Sequence, residues 1–256
     1  MRGAMNPGDN KEFIRKIRLA LGYRSQGGRT FSGVFPDGRA EESVELIRRI
    51  KNRGPDERQW LLARLIEEAK ALNMMVVPVK DAQSAAKQIA KVAQEKETEW
   101  GGPKRVIAWE HPLIERMKLN RELQKKGIPL DFTIPGPAGM GTDMVRERVI
   151  ASYIGVTSAE FCVASSATLV MKTRPGQPRS VSLVPTIHMA VIEQDQIIAD
   201  LRELYALLKW DPYHKEEGLT NCMTFITGPS KTGDIELILI HGAHGPKELY
   251  LYVITG

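Results

Sequence analysis

Apolar runs alternate with amphipathic helix patterns from Met74 onward, and this alternation limits the possible folds more than any other feature of the sequence. Met74 to Val79 is a continuous apolar run, as expected for a strand buried on both faces. Ala82 to Glu97 then carries apolar residues at helical spacing, and strand and helix patterns continue in turn. Repeated β-α units predict a mainly parallel, right-handed wound sheet, so the predicted fold class is α/β.

The other predicted elements follow from the same periodicities. Strands are predicted over Arg105 to Trp109, Leu130 to Ile134, Glu160 to Ala164, Thr168 to Lys172, Ser180 to Val184, His188 to Ile192, Cys222 to Ile226, Ile235 to Ile240 and Leu249 to Ile254. Helices are predicted over Ile114 to Lys126 and Met144 to Tyr153, and around the apolar positions Ile197, Ile198, Leu201, Leu204, Leu207 and Leu208. Short strands among the β-α units predict one sheet with an antiparallel extension.

The first 73 residues carry helix patterns only. Phe13, Ile14, Ile17 and Leu21 mark an amphipathic helix, and a long loop from Ser25 to Gly38 follows it. A second helix is predicted around Val44 to Ile50, and a third begins at Pro55. We therefore expect residues 1–73 to form an N-terminal helical extension that docks on an α/β domain of residues 74–256.

Charge and hydropathy exclude two classes of protein. The net charge is +5 over 256 residues, and the basic residues form no single-signed stripe with interleaved aromatic residues, so nucleic acid is not an expected partner. No apolar run approaches the ~20 residues that a membrane span needs. The segment Met1 to Asn6 lacks an apolar signal core, so we expect a cytoplasmic protein.

The two cysteines, Cys162 and Cys222, lie in apolar strand-like runs and form no Cys-x-x-Cys pair. We interpret them as small buried hydrophobic residues. This chain alone therefore does not supply the thiolates of an iron–sulfur cluster, and no cofactor is expected in it.

The segment Thr227 to Glu236, followed by His241 to Pro246, is the strongest candidate for a ligand site. An apolar run ends in Gly-Pro and then offers hydroxyl, ammonium and carboxylate groups within a few residues. Backbone N–H groups of a tight turn, with Lys231, would bind a small carboxylate or phosphate. Alternatively, Ser230, Thr232 and Asp234 only satisfy the backbone groups of a loop that ends a strand.

Several other residues are weaker candidates. Glu236 is either a solvated side chain or a buried carboxylate with a raised pKa, and His188 is either a core histidine or a catalytic one. His241 and His244 are too sparse for a metal site, so no metal is expected, and His244 is better placed to bind backbone or a ligand carboxylate. The turn from Gly136 to Asp143, with Thr142 as N-cap, is typical of a phosphate-binding helix start but also of ordinary turns.

Three blocks of sequence resemble the LUD-domain family. They are Gly155-Val156-Thr157-Ser158-Ala159-Glu160-Phe161 with Ala164 and Thr168-Leu169-Val170, then Leu183-Val184-Pro185-Thr186-Ile187-His188, then Gly228-Pro229-Ser230-Lys231-Thr232-Gly233-Asp234-Ile235-Glu236 with Gly242-Ala243-His244-Gly245-Pro246. The helical N-terminus and the missing cluster cysteines resemble the cluster-free members of the family. The resemblance implies a fold related to sugar-phosphate isomerases and CoA transferases, and a role in oxidising L-lactate to pyruvate beside iron–sulfur partner proteins.

One position departs from the family pattern. Family members usually carry Ala-Glu-Thr-Gly-Thr where this chain has Ala164 to Thr168, so Ser165 stands where a carboxylate is expected. Whether the chain is catalytic by itself is therefore left open. Whether it forms a homo-oligomer is also left open. The candidate ligand-binding residues are Gly228, Ser230, Lys231, Thr232, Asp234, Thr168 and His244; the candidate catalytic residues are Glu236, His188 and His244.

The functional hypothesis is a cluster-free subunit of a lactate-oxidising system. Two alternatives stay open: a self-sufficient enzyme or binding protein for a phosphorylated or CoA-linked metabolite, and a scaffold whose loop is only structural.

Overall fold

A computed structural model of the protein describes residues 16, 39–99, 101–133, 142–217, 222–233 and 239–256. The chain divides into two compact units, residues 1–41 and 42–256, and every described strand lies in the second unit. The helix predicted over Phe13 to Leu21, the loop from Ser25 to Gly38 and most of the turn from Gly136 fall outside the described residues. The predicted domain boundary between residues 73 and 74 stays a prediction.

Helices and strands alternate through most of the chain. The described helices are α1 (Arg39–Lys51), α2 (Pro55–Ala71), α3 (Ala82–Glu95), α4 (Pro112–Met117), α5 (Leu119–Gln124), α6 (Thr142–Ile150), α7 (Ser180–Leu183), α8 (Leu201–Trp210) and α9 (Pro212–Glu217). The described strands are β1 (Met74–Val79), β2 (Val106–Ala108), β3 (Leu130–Phe132), β4 (Ile154–Ser158), β5 (Phe161–Val163), β6 (Thr168–Lys172), β7 (Ile187–Glu193), β8 (Ile197–Ile198), β9 (Met223–Thr227), β10 (Lys231–Gly233), β11 (Leu239–His241) and β12 (Glu248–Ile254).

Six parallel strands form the central sheet, in the order β1-β12-β7-β4-β2-β3. This arrangement confirms the predicted α/β class with a mainly parallel wound sheet. The expectation that β1 is buried on both faces was wrong, because β1 lies at the edge of the sheet and Met75 is 38% exposed. The strands fully enclosed by neighbours, such as β4 and β12, are the ones buried on both faces.

Strand β4 lies at the centre of the sheet although the sequence did not predict it. Its residues pair in parallel with β7 on one side and with β2 on the other. Gly155 allows α7 to approach closely, since a Cβ at this position would fall 3.0 Å from the carbonyl carbon of Val181 and 3.1 Å from Cγ of Pro185. The glycine interrupts the kind of apolar run that marks the other strands, so the sequence pattern did not predict this strand.

The remaining strands form sheets of their own, so the predicted single sheet with an antiparallel extension was wrong. Four strands form a mixed sheet in the order β8-β5-β6-β9, and β10 and β11 form a hairpin. In the mixed sheet β5 runs parallel to β8 but antiparallel to β6, which in turn runs antiparallel to β9. Edge strand β9 leaves Phe225 49% exposed, so the run from Cys222 is not a buried strand.

Three further predictions fail at the level of single elements. Ser180 to Val184 is the short helix α7 rather than a strand, because a run of five residues carries too little periodicity to separate the two. Ile197 and Ile198 form β8, and the helix begins only after Asp200, whose carboxylate accepts from the N–H groups of Arg202 and Glu203. The helix predicted from Ile114 breaks at Lys118, which has a left-handed φ of 52°.

The main hydrophobic core surrounds the six-stranded sheet and includes the inner face of α2, with Leu61, Leu62, Leu65 and Ala69. A smaller core lies between the four-stranded sheet and α8; it holds Phe161, Val163 and Leu204 together with Ile47 of α1. Among the described residues no helix combines the length and apolarity needed to cross a bilayer.

Candidate functional site

The loop that the sequence singled out lies at the amino ends of two central strands. The N–H of Lys247 donates to the carbonyl of Thr186 (2.8 Å), and these residues directly precede β12 and β7. Open α/β sheets bind their ligands at the carboxyl ends of the strands. The loop therefore does not lie at the edge where such sheets usually bind their ligands.

Ser230 ties the two halves of this loop together. Its N–H donates to the carbonyl of Pro246 (2.8 Å), and its own carbonyl accepts from Gly242 (3.1 Å). Its Oγ accepts from the N–H of His244 (3.3 Å). Both backbone groups and the hydroxyl of Ser230 thus hold the turn in place, as the structural interpretation of the loop requires. The anion-binding interpretation stays a prediction for Lys231 and His244, which are both exposed.

Thr168 brings two of the predicted sequence blocks into contact. Its Oγ1 lies 2.8 Å from Oγ1 of Thr227 and 2.8 Å from Oγ of Ser166. Gly228 follows with a φ of 80° and packs on Leu72, at the end of α2. Thr168 therefore contacts Thr227, which directly precedes the predicted residue Gly228. Asp234 and Glu236 lie outside the described residues, and nothing is described of the Thr232 side chain.

The turn between β5 and β6 carries the departure from the family pattern. Ser165 is half-buried, and its N–H donates to the carbonyl of Ala199 (3.1 Å). Ala167 has a φ of 44°, a left-handed conformation that glycine adopts more readily and that costs an alanine free energy. The family pattern has glycine at this position, and the left-handed conformation of Ala167 is one that glycine favours.

His188 is completely buried beside strand β4. The side chain is 0% exposed, and its Nε2 lies 2.8 Å from Oγ1 of Thr157. Burial lowers the pKa of His188 to about 3, because the charged imidazolium would lose its hydration. Its Nδ1 has no hydrogen-bond partner among the described residues. The imidazole is therefore neutral at physiological pH and has no access to solvent.

The sequence did not predict the polar cluster at the carboxyl ends of β2 and β4. The order of the strands reverses between these two, because β2 leads outward to β3 and β4 leads back to β7. Such a reversal is the usual location of a ligand crevice. The cluster consists of Glu160, Lys172, Arg174, His214 and Glu217, with His111 beside it.

Arg174 is the centre of this carboxyl-edge cluster. Its guanidinium binds Glu217 through Nε and Glu160 through Nη2, the latter at 2.7 Å. The ammonium of Lys172, whose side chain is 0% exposed, lies 2.7 Å from the other oxygen of Glu217. Hydrogen bonds from Arg174 and then from Lys172 hold the pKa of Glu217 at about 2 against the opposing effect of partial burial. Two fixed cations thus keep the Glu217 carboxylate ionised near pH 7.

A tight turn closes over the same edge of the sheet. Gly176, with a φ of 75°, accepts from the N–H of Glu110 at 3.2 Å, and a Cβ at this position would fall 2.9 Å from the Glu110 carboxylate. The indole of Trp109 donates to the carbonyl of Pro178 (2.9 Å). Two buried oxygens nearby, Oγ of Ser158 and Oε1 of Gln177, have no partner among the described residues.

Two histidines give this edge a capacity for proton transfer. Burial lowers the pKa of His111, and the positive charge of Arg174 lowers it further. Burial also lowers the pKa of His214, with Glu160 opposing and Lys172 adding to the effect. Both imidazoles are therefore neutral near pH 7 and can exchange a proton beside fixed charges.

A metal ion is a poorer fit to this cluster. Donor atoms of Glu160, His214 and Glu217 lie within 4.8 Å of one another. Lys172 and Arg174 already occupy oxygens of both carboxylates, so a cation would have to displace them. We assign the cluster no metal.

Replacing Arg174 with glutamine should raise the pKa of Glu217 from about 2 towards its ordinary value of 4.5, because its strongest hydrogen bond is lost. NMR titration of the side-chain carboxyl groups measures this change. Arg48→Gln is the matched control, since Arg48 pairs with the exposed Glu45 and with no other acidic residue that the structure describes. A Glu217 midpoint that stays near 2 in Arg174→Gln would show that Lys172 alone holds this carboxylate.

Sequence reasoning missed the cluster because its members are distant in the chain. One local signal was present. Lys172 ends an apolar run, and Arg174 follows two residues later, which is the spacing that places two side chains on the same face of a strand. A charged residue in a run that is otherwise buried needs a buried partner.

Comparison with known proteins gives a consistent result. A family model for the LUD domain matches residues 62–254. A lactate utilization protein C from Halalkalibacterium halodurans is 31% identical over 149 residues, which cover 58% of this chain and 62% of that protein. Proteins of the same name from Bacillus subtilis and an Exiguobacterium species are 32% identical over 158 residues (60% and 63% covered) and 38% identical over 104 residues (40% and 44% covered).

These alignments span less than two thirds of the length of the curated relatives. Among solved structures, the crystal structure of a DUF162 family protein from Deinococcus radiodurans matches with a TM-score of 0.49 and 19% identity, covering 77% of this chain and 98% of that one.

Proposed function

The chain belongs to the LUD domain family, and from this membership we propose that it serves lactate utilisation as the cluster-free subunit of a system that oxidises L-lactate to pyruvate. Iron–sulfur proteins are the proposed partners. The proposal is carried by the match to the LUD domain over residues 62–254, together with relatives that are each named lactate utilization protein C.

The cysteines support a division of labour between subunits. Oxidation of lactate to pyruvate releases two electrons and two protons, and the electrons need an acceptor. Iron–sulfur clusters are commonly held by four cysteine thiolates, whereas this chain has two cysteines in all. Burial raises the pKa of the Cys162 thiol and keeps it protonated. The clusters of the partner proteins would therefore accept the electrons, and this chain would bind the substrate or exchange its protons.

The carboxyl-edge cluster suits the proton part of this division. His111 and His214 are neutral near pH 7, and Arg174 and Lys172 fix the charge around them. Neutral imidazoles beside fixed charges can relay the protons that are released when a 2-hydroxy acid is oxidised.

Reconstitution tests the proposal. The full chain is mixed under anaerobic conditions with purified proteins that carry paired cysteine-rich cluster motifs and are encoded beside it, and L-lactate is added. We expect bleaching of the cluster absorbance and formation of pyruvate only when all subunits are present. Equal rates without this chain would refute the role. Turnover of a phosphorylated or CoA-linked metabolite by the chain alone would favour the self-sufficient enzyme instead.

A further inference from the structure

A cavity of about 300 Å³ is lined by His214 but by no other residue of the carboxyl-edge cluster. Its walls come from the end of α1, the start of α2, the residues after β7 and helix α9. Six of the residues that line it are charged residues or histidine: Lys51, Arg53, Arg58, Asp195, Asp211 and His214. The volume is at the lower end of the range for ligand pockets, which suits a small metabolite.

Most of the charges around this cavity are neutralised within the protein. Arg53, whose side chain is 4% exposed, donates to Glu57, to Glu203 and to the carbonyl of Ile197. Lys51 forms an ion pair with Asp211. Arg58 and Asp195 are left: neither has an ion-pair partner among the described residues. Within the described part of the chain, the half-buried Arg58 is thus the cation of this cavity without an ion pair, and the exposed Asp195 is the carboxylate without one.

His214 contributes a third free group. The residue is 9% exposed, and its Nδ1 lies 3.4 Å from Nζ of Lys172, closer than the 3.6 Å to Glu160. An ammonium can only donate, so Nδ1 accepts and the neutral ring carries its hydrogen on Nε2. Nε2 has no partner among the described residues. Phe161 and Tyr213 pack edge-on against the ring, each with a centroid distance of 5.1 Å, and fix its orientation.

We propose that this cavity binds a small 2-hydroxy carboxylate. Arg58 and the Nε2–H of His214 donate to the carboxylate, and Asp195 accepts from the hydroxyl. A monoanion with a hydroxyl donor can bind all three groups, whereas a simple anion offers Asp195 no hydrogen bond and is repelled by its exposed carboxylate. The start of α2 beside Arg58 adds the positive end of a helix dipole. The choice of a hydroxy acid rests on the proposed function; the presence of a carboxylate site does not.

Calorimetric titration of the full chain tests this site. L-lactate should bind saturably, and propionate, which lacks only the hydroxyl, should bind more weakly because Asp195 then has no donor. Inorganic phosphate should bind more weakly still, since its second charge faces Asp195. Arg58→Ala should weaken lactate binding about ten-fold or more, as expected for loss of a charge-assisted contact.

Arg64→Ala is the matched control, because Arg64 lies on the same helix, outside the cavity, and stacks on Trp60. His214→Gln, which keeps an N–H donor, should lose less affinity than His214→Ala. The site is refuted if Arg58→Ala and Arg64→Ala bind lactate equally well. It is also refuted if Lys231→Ala alone weakens binding, which would place the ligand in the loop. Phosphate that binds more tightly than lactate would overturn the hydroxy-acid assignment.

These outcomes are separate from those of the reconstitution. Lactate binding that depends on Arg58, without lactate-dependent cluster bleaching, would leave the site standing and refute the proposed function. Lactate oxidation that is unaffected by Arg58→Ala would refute the site and leave the proposed function standing.

Discussion

Replacing Gly155 with alanine should lower the free energy of unfolding by about 3 kcal/mol, at the upper end of the usual cost of overpacking a core. The added Cβ would overlap the carbonyl of Val181 and lie 3.1 Å from Cγ of Pro185. Val181 contributes backbone atoms rather than a flexible side chain, so helix α7 itself must move. Strand β4 is held by β7 and β2 on both sides and cannot move instead.

Chemical denaturation of Gly155→Ala beside Gly102→Ala measures this effect. A Cβ on Gly102 meets no atom within 4 Å, and its backbone is not left-handed, so this control should lose little stability. Equal stability of the two variants would mean that α7 packs less tightly on the sheet than the structure describes. A variant at Gly155 that does not fold still agrees with the prediction if Gly102→Ala folds normally.

The wound sheet could be predicted because its signal is local and repeated. Each buried parallel strand requires an apolar run, and each crossover requires an amphipathic helix, so the alternation from Met74 implies the architecture. Strand β4 is the exception, because the environment of its residues Gly155, Thr157 and Ser158 is formed by distant parts of the chain. The division into a parallel and a mixed sheet also depends on long-range pairing, such as that of β6 with β9.

The same difference between local and long-range signals applies to the candidate functional residues. The loop around Ser230 could be found because its polar residues are contiguous, and its contacts with Pro246 and His244 lie within the same candidate segment. The carboxyl-edge cluster joins Glu160, Arg174 and Glu217 through the fold alone. No spacing rule brings these three residues together, because the strand order that creates the crevice is itself a long-range property.

Acid should destabilise this protein through His188 more than through any exposed histidine. Above pH 6.5 the imidazole is neutral in both the folded and the unfolded state, so its burial has no titration cost. Between pH 6.5 and about 3 the unfolded state binds a proton that the folded state excludes, because the folded pKa is about 3. Stability is therefore lost as the pH falls, by about 1.4 kcal/mol per unit and about 3 kcal/mol by pH 4.

His188→Gln removes this titration and keeps a polar group that can bind Thr157. Its free energy of unfolding should fall less than that of the wild type between pH 7 and pH 4, by about 3 kcal/mol, when both are measured by urea denaturation. Carboxylates such as Glu217 titrate in both proteins and cancel in the comparison. His244→Gln, at an exposed position, should keep the wild-type slope. Parallel profiles of unfolding free energy against pH for wild type and His188→Gln would contradict the burial of a neutral His188. A steeper profile in wild type and in His244→Gln than in His188→Gln would confirm it. If His188→Gln folds poorly, His188→Met serves the same comparison, because methionine has a similar volume and does not titrate.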